Sequence, residues 1–472
     1  MRKTKIICTL GPAVDNEDAL RTLIRTGMNG ARFNFSHGTH DSHRATFERL
    51  DRVRRELNAP VAAILDTKGP EIRVKKFAEG CAQLQEGASF ILCAEDVEGN
   101  SQRVSVTYPN LAAELKVGNR ILLDDGLIEL EVIGFEGSET RCRVLTGGWL
   151  SNNKSITIPD VHIALPAVTE RDAADLRLAA ELGFDWVAAS FIRSAEDVAS
   201  VRRVLVESGA PDIRIIAKVE NREGLNNLEE ILDAADAVMV ARGDLGVECP
   251  MPSLPALQKR IIQTCNRHGK PVIVATQMLM SMVNSPVPTR AEVTDVANAV
   301  LDGADCVMLS DETAAGNYPV EAVQNMRQIT DEAEKYLLAN GGLRAPKDEK
   351  DTSRFLAYTA CLLANSVSAK SIVAHSVSGG AARMLAECRP AQTIYALTHS
   401  SVVEHALNFV WGVQPFFLVP SDSSFSHARR TQNWIAASDL FPLGEDVVIT
   451  AGEYAPGVEA VRRTNVVKIY HK

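Results

Sequence analysis

Strand-length apolar runs recur eight times in the first 345 residues, most of them followed by a segment of helical periodicity. They are Lys5–Leu10, Ala31–Phe35, Val61–Asp66, Trp186–Ser190, Arg214–Glu220, Ala237–Arg242, Val272–Thr276 and Cys306–Ser310. Helices are predicted at Glu17–Arg25, Arg44–Leu57, roughly Arg222–Leu232 and Val320–Leu338. Eight such units over about 250 residues match a (β/α)8 barrel, an α/β fold of the TIM type. One long interruption divides the units three and five.

The interruption, Pro70 to about Leu165, has short alternating segments at Arg103–Tyr108, Arg120–Leu123, Leu127–Ile133 and Thr140–Leu145, with Gly and Asp-Gly turns. This predicts an inserted β-rich domain, with Pro70 and Pro166 at its hinge ends. Gly341–Lys350 is polar and rich in breakers, and reads as a linker. Beyond it, runs at Ser371–Ala374, Thr393–Leu397, Phe416–Val419, Asp446–Thr450 and Val466–Tyr470 predict a doubly wound α/β domain. The expected divisions are 1–69 and 166–345 for the barrel, 70–165 for the insertion and 346–472 for the C-terminal domain.

A net charge of −10 argues against a general nucleic-acid surface, though not against local anion sites. The nine cysteines are scattered without a CxxC pair, which suits a reducing compartment and gives no support for zinc. The N-terminal apolar run is too short for a signal sequence, and Pro271–Thr289 is too polar and proline-rich to span a membrane. A cytoplasmic protein with no membrane partner is expected.

In a parallel barrel, reacting groups collect where strands end. Here the strand ends carry Asn34 and Ser36; Asp66, Thr67 and Lys68; Ser190; Lys218 and Glu220; Arg242 and Asp244; Thr276 and Gln277; Ser310 and Glu312. Glu220 and Asp244 supply the hard oxygens that a divalent cation takes, or else pair structurally with Lys218 and Arg242. Lys218 suits stabilisation of an enolate or phosphoryl group, a Schiff base, or an ion pair with Glu220. Asn34, Ser36, Asp66 and Thr67 offer one charge and several neutral oxygens, a set for a monovalent cation or for a plain turn. Arg32, Arg73 and His37 are candidate phosphate clamps. Thr276 is a proton relay or a buried hydroxyl bonded to backbone, and Gly243 and Gly246 let backbone amides approach an anion. Met278, Met280 and Met282 read as packing.

Several long motifs resemble the pyruvate kinase family, most closely its bacterial members. They are TKIICTLGP (Thr4–Pro12), ARFNFSHG (Ala31–Gly38), LDTKGPEIR (Leu65–Arg73), KVENREG (Lys218–Gly224), VMVARGDLGVE (Val238–Glu248), ATQMLMSM (Ala275–Met282), PTRAEVTDVANAVLDGAD (Pro288–Asp305) and MLSDETAAGNYP (Met308–Pro319). The resemblance implies phosphoryl transfer from phosphoenolpyruvate to ADP, giving pyruvate and ATP, by a homotetramer with a lid over the nucleotide. It implies Mg²⁺ or Mn²⁺ on Glu220 and Asp244, and K⁺ on Asn34, Ser36, Asp66 and Thr67. Glu71 matches the acidic residue that accompanies K⁺ dependence. Lys218 is implied to stabilise the phosphoryl group and the enolate, and Thr276 to lie on the proton path. Arg32 and Arg73 are implied at phosphate, the amides of Gly243 and Asp244 at the substrate carboxylate, and Arg32, Asn34, His37 and Lys154 on the nucleotide side.

The C-terminal domain departs from the family pattern. Relatives activated by a sugar bisphosphate carry hydroxyl-rich loops where this chain has SGGAAR (Ser378–Arg383), THSSVV (Thr398–Val403) and APGVEAVRRTN (Ala455–Asn465). Ala381 and Val403 replace expected hydroxyl residues, so activation by fructose 1,6-bisphosphate is expected to be weak or absent, and any small-molecule effector of this domain is unidentified. Asp311 stands where Gly or Ala is usual, with little expected effect. Without the resemblance, an aldolase on the same barrel is the alternative, and a silent metabolite sensor is a reading from another class.

Overall fold

The computed structural model describes residues 2–346, 350–419, 426–452 and 464–472. Eight parallel strands close into a barrel: β1 (Lys5–Thr9), β2 (Met28–Asn34), β3 (Ala62–Asp66), β4 (Trp186–Ala189), β5 (Arg214–Val219), β6 (Ala237–Ala241), β7 (Val272–Ala275) and β8 (Cys306–Leu309). Spatial order follows chain order, and β1 pairs with both β2 and β8. The strands are apolar on both faces because both faces are covered. Ile7, Ile64, Ala188, Ile216, Met239, Ile273 and Met308 belong to one apolar cluster. Ile6, Leu65, Val187, Ile215, Val240, Val274 and Leu309 belong to another, with residues of the surrounding helices. Thr39, Thr169 and Thr289 each open a helix with a capping box, which fixes where those helices begin.

The segment between β5 and β6 is two helices, Arg222–Asn226 and Leu228–Ala234, rather than the single helix expected. The break falls at Asn227, whose Nδ2 donates to the carbonyl of Arg193 at 2.9 Å, so a tertiary bond ends the first helix. The insertion builds a seven-stranded sheet and a separate two-stranded one around its own apolar core. Cys81–Leu84, Ser89–Cys93, Gly148–Ser151 and Ser155–Thr157 are strands that periodicity alone did not single out, and Leu111–Glu114 is a short helix. The insertion is tied back to the barrel by Arg193, which donates to the carbonyls of Ile163 and Leu165 at 2.9 and 2.8 Å. Arg222 adds an ion pair to Asp160 at 3.0 Å.

In the C-terminal domain β9 (Ser371–His375), β10 (Thr393–Thr398), β11 (Val413–Phe417) and β12 (Asp446–Ala451) are parallel, and β13 (Val466–His471) is an antiparallel edge. The third strand lies three residues earlier than the apolar run Phe416–Val419 suggested, because Val413 to Phe417 pair with Ile394 to Thr398. Most of the Gly-rich stretch Ala455–Asn465 lies outside the described residues. All nine cysteines are free, and eight are buried. Among the described residues no helix is long and apolar enough to cross a membrane.

The C-terminal domain caps the barrel at the end where its strands begin. Phe409 sits among the interior barrel residues, 5.2 Å from the Trp186 ring, and a Cβ at Gly30 would fall 2.4 Å from it. Glycine at position 30 is therefore a packing requirement. Asp185 joins the same region. It accepts from Arg54 at 3.0 Å, from the amide of Ala63 at 2.8 Å and binds His405 of the C-terminal domain at 2.7 Å. Removing one partner of a buried charge network leaves the others uncompensated, at about 3–5 kcal/mol. Asp185→Ala should therefore lower the thermal midpoint clearly, whereas His405→Asn, which leaves the Arg54 pair intact, should cost less; equal effects in calorimetry would contradict the network.

Candidate active site

Register places the polar strand ends on one rim. Thr9, Arg32 and Asn34 lie beside one another and beside Ile64 and Asp66 through the β1–β2–β3 pairing. Asp66 is buried at the centre. Its Oδ2 accepts from Arg32 Nε at 2.6 Å, and its Oδ1 from Lys218 Nζ at 3.1 Å. Lys218 Nζ also donates to Ser190 Oγ at 2.6 Å and pairs with Glu220 Oε1 at 2.9 Å. The second Glu220 oxygen accepts the backbone N–H of Phe191 at 2.6 Å. Five side chains from four strand ends thus form one continuous network.

The electrostatics follow. Burial alone would favour the neutral amine of Lys218, but Asp66 and Glu220 outweigh it and push its pKa up, so it is an ammonium at neutral pH. Burial raises Asp66, yet Arg32 and Lys218 hold it below the usual carboxylate range. Glu220 goes the other way. Burial, reinforced by Asp244 and opposed by Lys218, pushes it up to about 7. Asp244 keeps an open face to solvent and is also raised, first by partial desolvation and then by Asp125. The two carboxylates are therefore under-compensated, a deficit that a hard cation removes.

Glu220 and Asp244 suit a divalent metal in charge and donor type. Among the described residues no group of three or more His, Cys, Asp or Glu is arranged to hold a metal. A cation here would take two protein carboxylates and fill its remaining positions with substrate oxygens and water, as Mg²⁺ does. The candidate monovalent set is less free. Asn34 Oδ1 accepts from the Ser36 amide at 3.1 Å, Thr67 Oγ1 accepts from the Ser190 amide at 3.1 Å, and both Asp66 oxygens serve cations. The oxygens are of the right kind and on adjacent strands, with little uncompensated charge, which suits a monovalent rather than a divalent ion.

Thr276 and Gln277 adopt left-handed backbone, with φ of +67° and +53°. For a β-branched residue this is strained and must be enforced by its surroundings. Arg242 enforces it, donating to the carbonyls of Ala275 and Thr276 at 3.2 and 2.6 Å. Thr276 Oγ donates to the Ala275 carbonyl at 2.7 Å and accepts the Gly243 amide at 3.0 Å. The hydroxyl is thereby fixed beside the first turn of the helix Arg242–Glu248, whose free N–H groups face an anion favourably.

Arg242 corrects the expectation of an arginine beside the two carboxylates. Its Nη1 donates to both oxygens of Asp295, at 2.8 and 2.6 Å, and the side chain turns towards β7. That charge-assisted pair, together with the carbonyls of Ala275 and Thr276, occupies the guanidinium. The expectation for Glu312 is corrected too. Glu312 is fully buried, accepts the amides of Leu279 and Ser310 at 3.0 and 2.7 Å, and has no free oxygen for a ligand. Met278 and Met282 pack in the core, while Met280 is exposed.

The insertion side holds Glu71, Arg73 and Lys154. Arg73 pairs with Glu71 at 2.6 Å and donates to the Asn153 carbonyl at 2.6 Å; Lys154 pairs with Asp124 at 2.8 Å. Burial raises Glu71 despite Arg73. Strand pairing of Ser155 with Arg73 brings Lys154 and Arg73 together, but neither joins the rim network around Lys218. His37 is exposed in the turn after β2. Between insertion and barrel lies a cleft of about 330 Å³, with Phe191, Glu220 and Asp244 on one side and Glu71, Asp125 and Thr157 on the other.

Ser190, Phe191 and Gly69 were not assigned roles from sequence. Ser190 Oγ donates to the Thr67 carbonyl at 2.7 Å while accepting Lys218, and so fixes the ammonium. Phe191 has φ +57°, which aims its N–H at Glu220. Gly69 has φ +72°, and a Cβ there would lie 2.8 Å from Ser190 and from the Phe191 ring. The run TKGP, a glycine before a proline at a strand end, was the available signal for a crowded turn.

The chain is similar to known proteins over its whole length. The family described as "Pyruvate kinase, barrel domain" matches residues 1–323, and "Pyruvate kinase, alpha/beta domain" matches residues 354–470. A Staphylococcus aureus protein named pyruvate kinase is 43% identical over 477 residues, covering 100% of this chain and 80% of its own. One from Clostridium acetobutylicum is 42% identical over 455 residues, covering 96% of both. A crystal structure of a pyruvate kinase from Cryptosporidium parvum, 34% identical, superposes with a TM-score of 0.90 over 100% of this chain and 96% of that one.

Proposed function

The chain belongs to the pyruvate kinase family and has pyruvate kinase activity; from that premise we propose that it moves the phosphoryl group of phosphoenolpyruvate to ADP with the rim network described above. The observation that carries this reading is Lys218, a largely buried ammonium held by Asp66, Glu220 and Ser190. Phosphoryl transfer needs little covalent help from protein. It needs positive charge fixed where the equatorial oxygens develop charge.

Glu220 and Asp244 would hold Mg²⁺ or Mn²⁺, which when bound supplies charge neutralisation at phosphate and carbonyl oxygens. Asn34, Ser36, Asp66 and Thr67 would hold K⁺, with Glu71 favouring K⁺ dependence. Lys218 stabilises the phosphoryl group and the enolate oxygen left behind. Arg32, tethered to Asp66 and Thr9, presents its remaining N–H groups to phosphate. The Asp244 amide, and that of Gly243 once it leaves the Thr276 hydroxyl, seat the carboxylate of the substrate. The Thr276 hydroxyl, held against Gly243, lies on the path of the proton that converts enolate to pyruvate. Arg73, Lys154 and His37 serve the nucleotide side, and closure of the insertion excludes water as a competing acceptor. The protein acts in the cytoplasm as a homotetramer.

A Schiff-base aldolase is disfavoured because it needs a free amine, and Lys218 is held protonated. The direct test is pyruvate release from phosphoenolpyruvate and ADP, with and without K⁺. No pyruvate in the presence of Mg²⁺ and K⁺ would overturn the reading; borohydride trapping of a substrate on Lys218 would favour the aldolase.

Two further outcomes are expected. Only ionised Glu220 binds a cation, and its pKa in the metal-free protein is about 7. Apparent Mn²⁺ affinity, measured by calorimetry or electron spin resonance, should therefore be nearly flat above pH 7 and fall by up to about tenfold per unit below it. A flat profile from pH 8 to about 5.5 would contradict this assignment. Phosphoenolpyruvate saturation should also respond little to micromolar fructose 1,6-bisphosphate, since Ala381 and Val403 lack hydroxyls; conversion of a sigmoidal curve to a hyperbolic one would sink that expectation.

A further inference from the structure

Nine cysteines are scattered along the sequence, and the fold brings two of them together. The helices Thr352–Ser366 and Gly380–Glu387 share one apolar core, burying Ala357, Ala360 and Ala364 from the first and Ala382 and Ala386 from the second. Small side chains at the contact let two helices approach closely. Cys361 in the first helix and Cys388, directly after the second, belong to that same core. Both sulfurs address the last turn of the second helix. Cys361 Sγ lies 4.0 Å from the Leu385 carbonyl oxygen, and Cys388 Sγ 3.4 Å from that of Met384. The Cys361 thiol is within hydrogen-bonding reach of the Cys388 sulfur. That contact, and then burial, push Cys361 well above the ordinary thiol range, so it keeps its proton at neutral pH.

A single buried thiol is a small core residue, but two in contact can be joined. The pair lacks the further ligands of a zinc site, since among the described residues no group of three or more His, Cys, Asp or Glu is arranged to hold a metal. The two sulfurs also differ in access. Cys361 is fully buried, whereas Cys388 lines a cavity of about 440 Å³. A small oxidant entering that cavity meets Cys388 first and leaves Cys361 as the resolving thiol. Cys388 stands at a joint of the molecule. Its carbonyl accepts the amide of Arg344 in the linker at 3.0 Å. The next residue, Arg389, pairs with Asp305 at 3.2 Å and donates to Asn266 Oδ1 at 2.7 Å, both in the barrel.

We propose that Cys361 and Cys388 form a redox-active dithiol that a hydroperoxide converts to a disulfide in the folded protein. The Cys388 sulfur, as thiolate, attacks one peroxide oxygen. The O–O bond breaks, Cys388 becomes a sulfenic acid and hydroxide leaves. The Cys361 sulfur then gives up its proton and attacks the sulfenic sulfur, the S–O bond breaks and the S–S bond forms. The two hydroxides take up the two thiol protons, so two thiols lose two electrons and one hydrogen peroxide becomes two waters. The bond ties the helix that follows the linker to the turn that precedes Arg389, and so stiffens the joint between C-terminal domain and barrel. In a reducing compartment the pair rests as the dithiol and returns to it by exchange with small thiols.

The test treats the folded full chain with hydrogen peroxide at about 1 mM, alkylates the remaining thiols and reads intact mass and a peptide map. Wild type is compared with Cys361→Ala and Cys388→Ala. The expected result for wild type is a loss of about 2 Da, carried by a cross-linked peptide that joins positions 361 and 388 and is released by dithiothreitol. Because the sulfurs already meet, the oxidised protein should have a higher thermal midpoint than the reduced one. Cys361→Ala should stop at the sulfenic acid, a gain of about 16 Da on Cys388, and Cys388→Ala should leave Cys361 unmodified. No cross-link in the folded wild type, or one that forms only after denaturation, overturns the proposal. So does a sulfinic acid on Cys388 in place of the cross-link, a loss of mass that survives in either alanine variant, or a lower midpoint for the oxidised protein. The deciding measurement is made on wild type, so it stands even where a variant fails to fold. No readout uses turnover, and failure here leaves the assignment of the rim untouched.

Discussion

Lys218→Met should lower kcat by about 10³–10⁴-fold, with a much smaller change in the half-saturating concentration of phosphoenolpyruvate. Methionine fills a similar volume, so the core beneath β5 is not emptied. What disappears is a fixed positive charge that meets Asp66, Glu220 and Ser190 in the resting protein and whatever negative charge develops above them. Interactions that strengthen as charge develops show in kcat rather than in ground-state binding. The thermal midpoint separates this from misfolding. Asp66 keeps Arg32 as a partner at 2.6 Å, but Glu220 loses the one cation that lowers its pKa. The metal-free variant should therefore bind Mn²⁺ with a pH midpoint above that of the wild type. Turnover within about tenfold of wild type would remove Lys218 from the mechanism.

Glu220→Gln is the second large effect. The substitution keeps shape and an oxygen able to accept the Phe191 amide, so the strained turn at Phe191 should persist. It removes one of two carboxylates and with it about half the charge offered to a divalent cation. Mn²⁺ affinity should fall by about 10²-fold and kcat by about 10²–10³-fold at fixed metal, with partial recovery at high metal concentration. If affinity measured directly by calorimetry is unchanged, the cation binds elsewhere and the pair with Asp244 is structural.

These expectations rest on residues that could be read as strand ends. Lys218, Glu220, Asp66 and Thr276 each follow or close an apolar run, and the barrel count by itself puts them on a common rim, whereas Arg32 lies inside its run. Periodicity could not give the direction in which a side chain at a strand end turns. Arg242 and Glu312 have the same sequence standing as Glu220, yet Arg242 turns to Asp295 and Glu312 closes the amides of Leu279 and Ser310. The deciding partners lie 53 residues away for Arg242 and 33 for one contact of Glu312. Ser190 and Phe191 acquire roles only because β4 stands between β3 and β5.

The sequence by itself determined the eight strand-helix units, the insertion between the third and fourth strands, the separate C-terminal α/β domain and the set of residue types at the rim. Those follow from local periodicity, turn residues and charge placement, which are properties of neighbouring positions. Only the tertiary structure decided which of those charges meet. It joined Lys218 to Asp66 across 152 positions, made Glu220 hard to ionise, and strained Thr276 against Gly243. Among the described residues it also left the Trp186 indole N–H without a partner at the far end of the barrel. Burial and pairing set the energy of a charge, and both depend on segments far apart in the chain.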